Sequence, residues 1–479
     1  MIRAARVLAI ALAAALAGCA VGPNVKPPAT PPRAGQPFVG AAGSAYVAQQ
    51  PLPDDWWRLY NDPILNRLVL QALRENEDLK TAAANLLYAQ ALLAEARDNR
   101  FPSTNVSAEG PAYGRSSLQE AFNQPASRFY SAGFTASYQV DIFGRIRRTI
   151  EAARANAQAA EAAEDVVRVT VAAQTAAAYA NICGYGEQLD VARQNLAVIQ
   201  HVYDLTLVQR DAGYLSDFDL SRELVILEQT RAVIPPLEGQ RRANLFILAA
   251  LIGKTPKEVP ADAAACVTPP KLSQPMPVGD GAALLRRRPD LREAERNLAS
   301  ATARIGVATA DLYPTITIGG GYNAAAATPS GLGNLKNASY SVGPLLSWTF
   351  PNILIARDHI REAGAQAQAD LATFDSAVLT ALRDTEEALS TYAAEIDQNR
   401  ALVAAQAAAN QAFGLSGVQF RAGSYSFLDL LTVQTTLVQA NQATAQSDTL
   451  LAADQIGVFQ TLGGGWENAP PVTPPPAPR

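Results

Sequence analysis

Between Arg128 and Gly213 a short alternating segment passes directly into a helix too long for an ordinary globular domain, and few folds accommodate both. From Tyr130 to Val140 the even positions are Tyr130, Ala132, Phe134, Ala136, Tyr138 and Val140, while Ser131, Gly133, Thr135, Ser137 and Gln139 fill the odd ones. One apolar and one polar face at a period of two, over the length of a tilted spanning strand, predicts a transmembrane β-strand. After Asp141-Ile142-Phe143-Gly144 the chain becomes rich in Ala, Glu, Gln and Arg, with no proline until well past Gly213. A helix from Arg145 to Arg210 would reach on the order of 100 Å at about 1.5 Å per residue. So short a strand feeding so long a helix points to an outer-membrane anchor carrying a rod into the periplasm.

The pattern occurs twice. Asp78-Leu79 and Asp290-Leu291 are 212 residues apart, and the same offset relates Asn85-Leu86 to Asn297-Leu298, Ala96 to Ala308 and Pro102 to Pro314. At an offset of 210, Ala212-Gly213 corresponds to Ala422-Gly423, so the halves stay in step through their long helices. Each half reads as helix, strand, strand, long helix, turn, helix, and two repeats of this size imply a pseudo-twofold protomer rather than a solenoid.

Alternation holds in all four strand segments. Thr104, Val106, Ala108 and Gly110 oppose Ser103, Asn105, Ser107 and Glu109; Ile316 and Ile318 oppose Thr315 and Thr317. In the last strand Ala338, Tyr340, Val342, Leu346 and Trp348 oppose Ser339, Ser341, Gly343 and Ser347, with Pro344 marking an edge or bulge. Gly-, Ser- and Asn-rich stretches, roughly 113–127 and 323–337, suit extracellular hairpin connections. A soluble β-layer with one buried face is the plainer alternative. In hydrocarbon an open sheet would leave edge N–H and C=O groups unpaired at several kcal/mol each, so a membrane sheet must close. Four strands are half of the smallest common barrel, and several chains must join. Two would give eight strands and three twelve; counting alone does not choose.

Among the helices, Asp62 is placed to cap and Pro63 to open a segment with an apolar stripe of Leu65, Leu68, Val69, Ala72 and Leu73. In the counterpart from Pro289 to Leu312, Leu291, Leu298, Ile305 and Leu312 recur every seven residues, as in a coiled coil. The long segments 145–210 and about 353–420 return through turns at Gly213 and Gly423 into partner helices 216–233 and 428–462. Pro235-Pro236 breaks the first return helix.

Chemistry is sparse. Met1 to Arg6 supplies a positive start and Val7 to Leu16 an apolar run too short to span a bilayer, which reads as a secretory signal. Leu16-Ala17-Gly18-Cys19 resembles a lipoprotein box with Cys19 as the acylated residue, and Ala20 resembles the residue type of lipoproteins forwarded to the outer membrane. The spacing of Cys183 and Cys266 matches no disulfide framework, so they read as two separately packed thiols, a periplasmic bridge being the alternative. His201 and His359 are isolated in helical patterns, and no metal site is expected. A net charge of −5 gives no electrostatic case for nucleic acid. No P-loop or GxSxG motif occurs, and Gly184-Tyr185-Gly186 sits inside a helical pattern where glycine marks an irregularity or close packing. The chain reads as a non-enzyme with no cofactor beyond lipid on Cys19.

Together these segments resemble the outer-membrane factor family of tripartite efflux and secretion systems, the TolC-like proteins, and most closely its lipoprotein OprM/NodT branch. The resemblance rests on Leu16 to Cys19 with Val21-Gly22-Pro23, on Trp56-Trp57 to Pro63, and on Arg287-Arg288-Pro289-Asp290-Leu291-Arg292. Ala303-Arg304-Ile305-Gly306-Val307-Ala308 and Asp311-Leu312-Tyr313-Pro314 complete it. It implies a mainly α fold with a membrane β-barrel: a homotrimer whose protomers each give four strands to a 12-stranded barrel and long helices to a periplasmic α-barrel. It implies a passive exit duct served by a periplasmic membrane-fusion adaptor and an inner-membrane RND pump, the lipoprotein type being palmitoylated.

The resemblance further implies a closed periplasmic aperture at the hairpin tips, here 213–219 and 423–429. Leu428 falls at a constricting leucine ring, Asp219 and Asp429 at tip carboxylate positions, and Thr432 where the branch usually carries aspartate. The plainer reading has Asp217 and Asp219 capping the return helix and Asp429 in the first turn of its counterpart. The expected organisation is a signal peptide (1–18), a lipid-anchored segment (19–61), a first repeat (62–254), an equatorial linker (255–280), a second repeat (281–463) and a Pro-rich disordered tail (464–479). A duct for protein secretion or metal-ion efflux is the same-class alternative, and a lipid-anchored structural coiled-coil trimer the alternative of a different class.

Overall fold

The computed structural model of the chain describes residues 20–41, 46–47, 50, 52–114, 127–349 and 353–475. The predicted signal peptide, Cys19 and most of the first hairpin connection lie outside them. The strands are β1 (Tyr46–Val47), β2 (Ser103–Gly114), β3 (Ser127–Val140), β4 (Met276–Pro277), β5 (Thr315–Ala326) and β6 (Ala338–Ser347). The helices of the first half are α1 (Pro63–Glu75), α2 (Glu77–Asp98), α3 (Arg145–Asp211), α4 (Asp217–Ala232) and α5 (Ile234–Leu251). Those that follow are α6 (Ala261–Ala264), α7 (Gly281–Arg287), α8 (Pro289–Ala310), α9 (Ile353–Arg421) and α10 (Phe427–Thr461). Two compact units emerge, one from the described parts of 1–29, 86–160 and 293–374, the other from those of 30–85, 161–292 and 375–479.

The first unit holds an antiparallel sheet in the order β2-β3-β5-β6. Its register aligns like with like across all four strands. Val106, Phe134, Tyr322 and Tyr340 form one row, and Thr104, Ala136, Gly320 and Val342 the next on the same face. On the other face Asn105, Thr135, Gly321 and Ser341 line up, as do Ser107, Gly133, Asn323 and Ser339. A slip of one residue would interchange the faces, so side-chain chemistry fixes the pairing. The β2–β3 register shifts once, between Glu109 and Ala112, across the cis Gly110-Pro111 bond. Beside the sheet, Leu93 and Ala96 of α2 pack on Ile150 and Ala157 of α3.

The second unit carries the larger core. Asp62 caps α1 by accepting from the N–H groups of Ile64 and Leu65, and all five stripe residues, Leu65 to Leu73, are buried. Each fully buried Leu or Val contributes about 1.5–3 kcal/mol. Trp56 stacks on Phe459 with ring centroids 4.7 Å apart, which locks the segment before α1 to the end of α10. The first predicted helix is in fact two, because Asn76 ends α1 and its side chain accepts from the N–H groups of Asp78 and Leu79 to open α2. At the equivalent position of the second half, Arg288 separates α7 from α8. Between α4 and α5 the break falls at Val233, and Pro235 and Pro236 occupy the first turn of α5, where an absent N–H removes no helix bond.

Two expectations are corrected here. Cys183 and Cys266 are bonded to each other, with sulfurs 2.09 Å and Cα atoms 4.7 Å apart. The physical reason is close docking of the inter-repeat linker on α3: a Cβ on Gly186 would lie 2.4 Å from the Cys266 carbonyl oxygen, and the Arg241 guanidinium donates to that oxygen and to that of Ala264. The described part of the tail, 464–475, has side chains packed on the second unit. Trp466 lies under the Arg292 guanidinium at 4.8 Å, Glu467 pairs with Arg287, and Ala469 and Val472 pack on the core. Composition alone predicted disorder, but anchored side chains hold a proline-rich segment against the unit. Its last four residues lie outside the described ones.

Candidate functional site

The two helical hairpins end in matching turns. Gly213 and Gly423 adopt φ of +81° and +73°, left-handed values that favour glycine. In each turn the residue after the glycine donates its N–H five residues back, Tyr214 to Gln209 and Ser424 to Gln419. Ser216 and Ser426 are the N-caps of α4 and α10. Each hydroxyl accepts from the N–H of an aspartate three residues on, Asp219 or Asp429, whose carboxylate accepts from the serine N–H in return. These are capping boxes with aspartate in the reciprocal position. The cap is therefore Ser216 rather than Asp217 or Asp219. Asp217 stands in the first turn and pairs with Arg210 at 3.2 Å. The hydroxyl and N–H of Ser216 hold the Asp219 carboxyl below the usual range.

Beneath the tips Phe427, Leu430 and Leu431 of α10 are buried together with Leu215, Ile226, Phe413 and Phe420. This cluster joins the two hairpins. Leu428 is not part of this cluster and is 51 % exposed. Thr432 donates from its hydroxyl to the Leu428 carbonyl at 2.9 Å, a bond internal to α10. Farther along the same helices Gln434 donates from Nε2 to Glu223 Oε1 at 2.9 Å, with both side chains fully buried. Glu223 Oε2 and Gln434 Oε1 have no hydrogen-bond partner among the described residues. Burial pushes the Glu223 carboxyl up, and the bond from Gln434 opposes this. Sequence reading passed over this pair, because a glutamate in a polar helical pattern gives no sign that it faces another helix.

A second arrangement lies where β3 gives way to α3. Val21 donates its N–H to the Phe143 carbonyl, and Ala20 rests against Gly144 so closely that a Cβ there would lie 2.7 Å away. Gly22 lies against Gly306, where a Cβ would be 2.4 Å from the Gly306 Cα. The buried Arg148 guanidinium donates to the carbonyls of Val21 and Gly22 and to Asn24 Oδ1. The motifs Val21-Gly22-Pro23 and Arg304-Ile305-Gly306-Val307 thus act on each other, since glycine at 306 leaves space for both Arg148 and the incoming chain.

On the sheet, Val106 and Tyr340 are 80 % and 86 % exposed on the face that carries the apolar rows. Neither the outer edge of β2 nor that of β6 has a partner strand among the described residues. No described helix is long and apolar enough to cross a membrane. No group of His, Cys, Asp or Glu among the described residues is arranged to hold a metal ion.

A duplicated chain that joins a lipid-compatible antiparallel sheet to capped helical hairpins is of the outer-membrane channel class. The family model for outer membrane efflux proteins matches residues 68–254 and 282–464, and the chain belongs to that family. The pyoverdine export outer membrane protein OpmQ of Pseudomonas aeruginosa is 30 % identical over 427 residues, 86 % of this chain and 88 % of that one. Nodulation protein T of Rhizobium leguminosarum bv. viciae is 28 % identical over 428 residues, 88 % and 86 % of the two chains. The solved structure of the outer-membrane channel OprN matches with a TM-score of 0.87 and 33 % identity, over 94 % of this chain and all of that one. The fold is the TolC-like one, and the protein is an outer-membrane efflux channel, the exit duct of a tripartite system.

Proposed function

We propose that three copies of this chain close a 12-stranded barrel in the outer membrane and a 12-helix barrel in the periplasm. Substrates would pass through it from an RND-type inner-membrane pump by way of a periplasmic membrane-fusion adaptor. One observation supports this above the rest: the four-stranded sheet has an exposed apolar face and two edges without a partner strand among the described residues. Edge groups in hydrocarbon need partners, and identical neighbours supply them if β6 of one copy pairs with β2 of the next. The twofold repeat explains why each copy carries two hairpins.

Cys19 is the proposed lipidation site. The seating of Ala20, the next residue in the chain, against Gly144, four residues beyond the end of β3, supports this reading. The proposed periplasmic aperture comprises the turns at Gly213 and Gly423 with Asp217, Asp219, Leu428, Asp429 and Thr432. A ring of exposed leucines with carboxylates beside it would resist wetting and favour cations. The expected domain bounds stand as part of the same proposal, amended for the packed tail.

Cross-linking in the native envelope, with identification of the captured periplasmic protein, tests the partnership. A deletion strain should become sensitive to the substrates of the cognate pump. Capture of no adaptor, together with unchanged sensitivity to drugs and metals, would contradict this reading.

A further inference from the structure

At the foot of the sheet is a cavity of about 270 Å³ lined by Arg100, Tyr138, Gln139, Asp141, Ile146 and Arg147. We propose that it binds the phosphate of an anionic glycerophospholipid in the periplasmic leaflet. The inference rests on the reading that the sheet spans the outer membrane. The site lies in the first unit, at the ends of β2 and β3 that connect to helices rather than at their hairpin ends.

The charge balance favours an anion. Arg100 follows the last turn of α2 and is exposed, and its guanidinium makes no hydrogen bond or ion pair among the described residues. Arg147 meets Asp141 only at 3.4 Å through Nε and donates to its carbonyl at 3.3 Å. The Asp141 carboxylate is already engaged by the N–H groups of Ile146 and Arg147, at 2.9 and 3.0 Å, which satisfy the first turn of α3. Two guanidinium groups against one carboxylate with other partners leave one positive charge to be matched. A phosphodiester supplies one negative charge and oxygens suited to arginine N–H groups.

Position selects a lipid over free phosphate. Tyr138 is 39 % exposed and shares its cross-strand row with Ile318 and Pro344 on the apolar face; Val140, Ile316 and Leu346 form the adjacent row. A headgroup held between Arg100 and Arg147 would let its acyl chains lie over these rows. Tyrosine and arginine at the end of a spanning strand suit the headgroup level of a bilayer.

The test uses the full-length assembly, released from vesicles of phosphatidylglycerol and phosphatidylcholine, with retained lipid read by native mass spectrometry. The wild type should retain phosphatidylglycerol in preference to phosphatidylcholine. Arg100→Gln should lower that retention about tenfold, the scale of a lost charge-assisted contact. Arg400→Gln, at an exposed ion pair with Asp397 on α9, should retain lipid as the wild type does. Equal retention by wild type and Arg100→Gln, loss in Arg400→Gln, or release of the lipid by inorganic phosphate would each overturn the proposal. Conductance in planar bilayers, measured on the same preparations, separates the outcomes. A conducting assembly without selective lipid would sink the lipid site alone, whereas a monomer that does not conduct would sink the spanning sheet beneath it.

Discussion

Asn76 donates from Nδ2 to the backbone carbonyl of Leu251 at 3.1 Å, which ties the break between α1 and α2 to the last residue of α5. The second repeat makes the same joint with different chemistry. Arg288, 212 residues after Asn76, donates to the carbonyl of Thr461, the last residue of α10, at 2.9 Å. Gly253 and Gly463 follow these carbonyls with φ of +68° and +70°. A Cβ at Gly253 would lie 2.5 Å from the Glu75 carbonyl oxygen, and one at Gly463 would lie 2.9 Å from Arg288 Cγ. Duplication has preserved the geometry of the joint while its donor has diverged.

Asn76→Ala should therefore destabilise the second unit by about 1–3 kcal/mol, because it strips both the cap of α2 and the donor to Leu251. Asn76→Asp keeps the capping oxygen and loses the donor, so it should fall between Asn76→Ala and the wild type. Thermal unfolding in detergent micelles, followed by helical circular dichroism, checks the order. Equal stability of all three would show that the joint contributes little.

Removing the Cys183–Cys266 bridge, which closes a separation of 83 residues, should cost about 2–5 kcal/mol. Cys183→Ser with Cys266→Ser should unfold at lower denaturant concentration, and thiol reagents should label neither cysteine in the native, non-reduced protein. Stoichiometric labelling of both would contradict the bridge.

The buried Glu223 carboxyl has its protonation equilibrium displaced upward on folding. The folded state then holds this proton at pH values where the unfolded chain has released it, so stability from this group is present below the unfolded value. It is lost as pH rises through the folded one. Glu223→Gln should remove that pH dependence and stabilise the α4–α10 contact by about 1 kcal/mol near neutral pH, since two amides satisfy each other's donors and acceptors. Parallel pH–stability curves for variant and wild type would refute the assignment.

At the tips, Leu428→Ala with Asp429→Ala should raise single-channel conductance several-fold in planar bilayers. The double variant also removes the reciprocal capping bond to Ser426, which costs about 0.5–2 kcal/mol. Leu428→Ala alone leaves the capping box intact. It should retain most of the increase if the exposed leucine narrows the pore. Unchanged conductance in both would exclude Leu428 and Asp429 from the constriction.

Features set by local periodicity were legible in the sequence. The alternation from Tyr130 to Val140 identified a two-faced strand, because residues two apart share a face whatever their partner. The stripe from Leu65 to Leu73 identified the buried side of α1 on the same ground, and Gly213 and Gly423 marked hairpin turns because few other residues take left-handed backbone. Contacts between distant segments were not legible. Nothing local shows that Cys266 reaches Cys183, that Trp466 lies under Arg292, or that Gly306 makes room for Arg148 and Gly22. The tips fall between these cases. Ser-x-x-Asp at 216–219 and 426–429 carries a capping signal, yet the aspartates drew attention first, and the serines that cap were passed over.

The central claim is that several copies must join before the sheet can close. Its most direct measurement is the mass of the purified, detergent-solubilised assembly, taken together with its conductance in a planar bilayer. A trimer that conducts in discrete steps is the predicted result, and a monomer that passes no current would contradict the account.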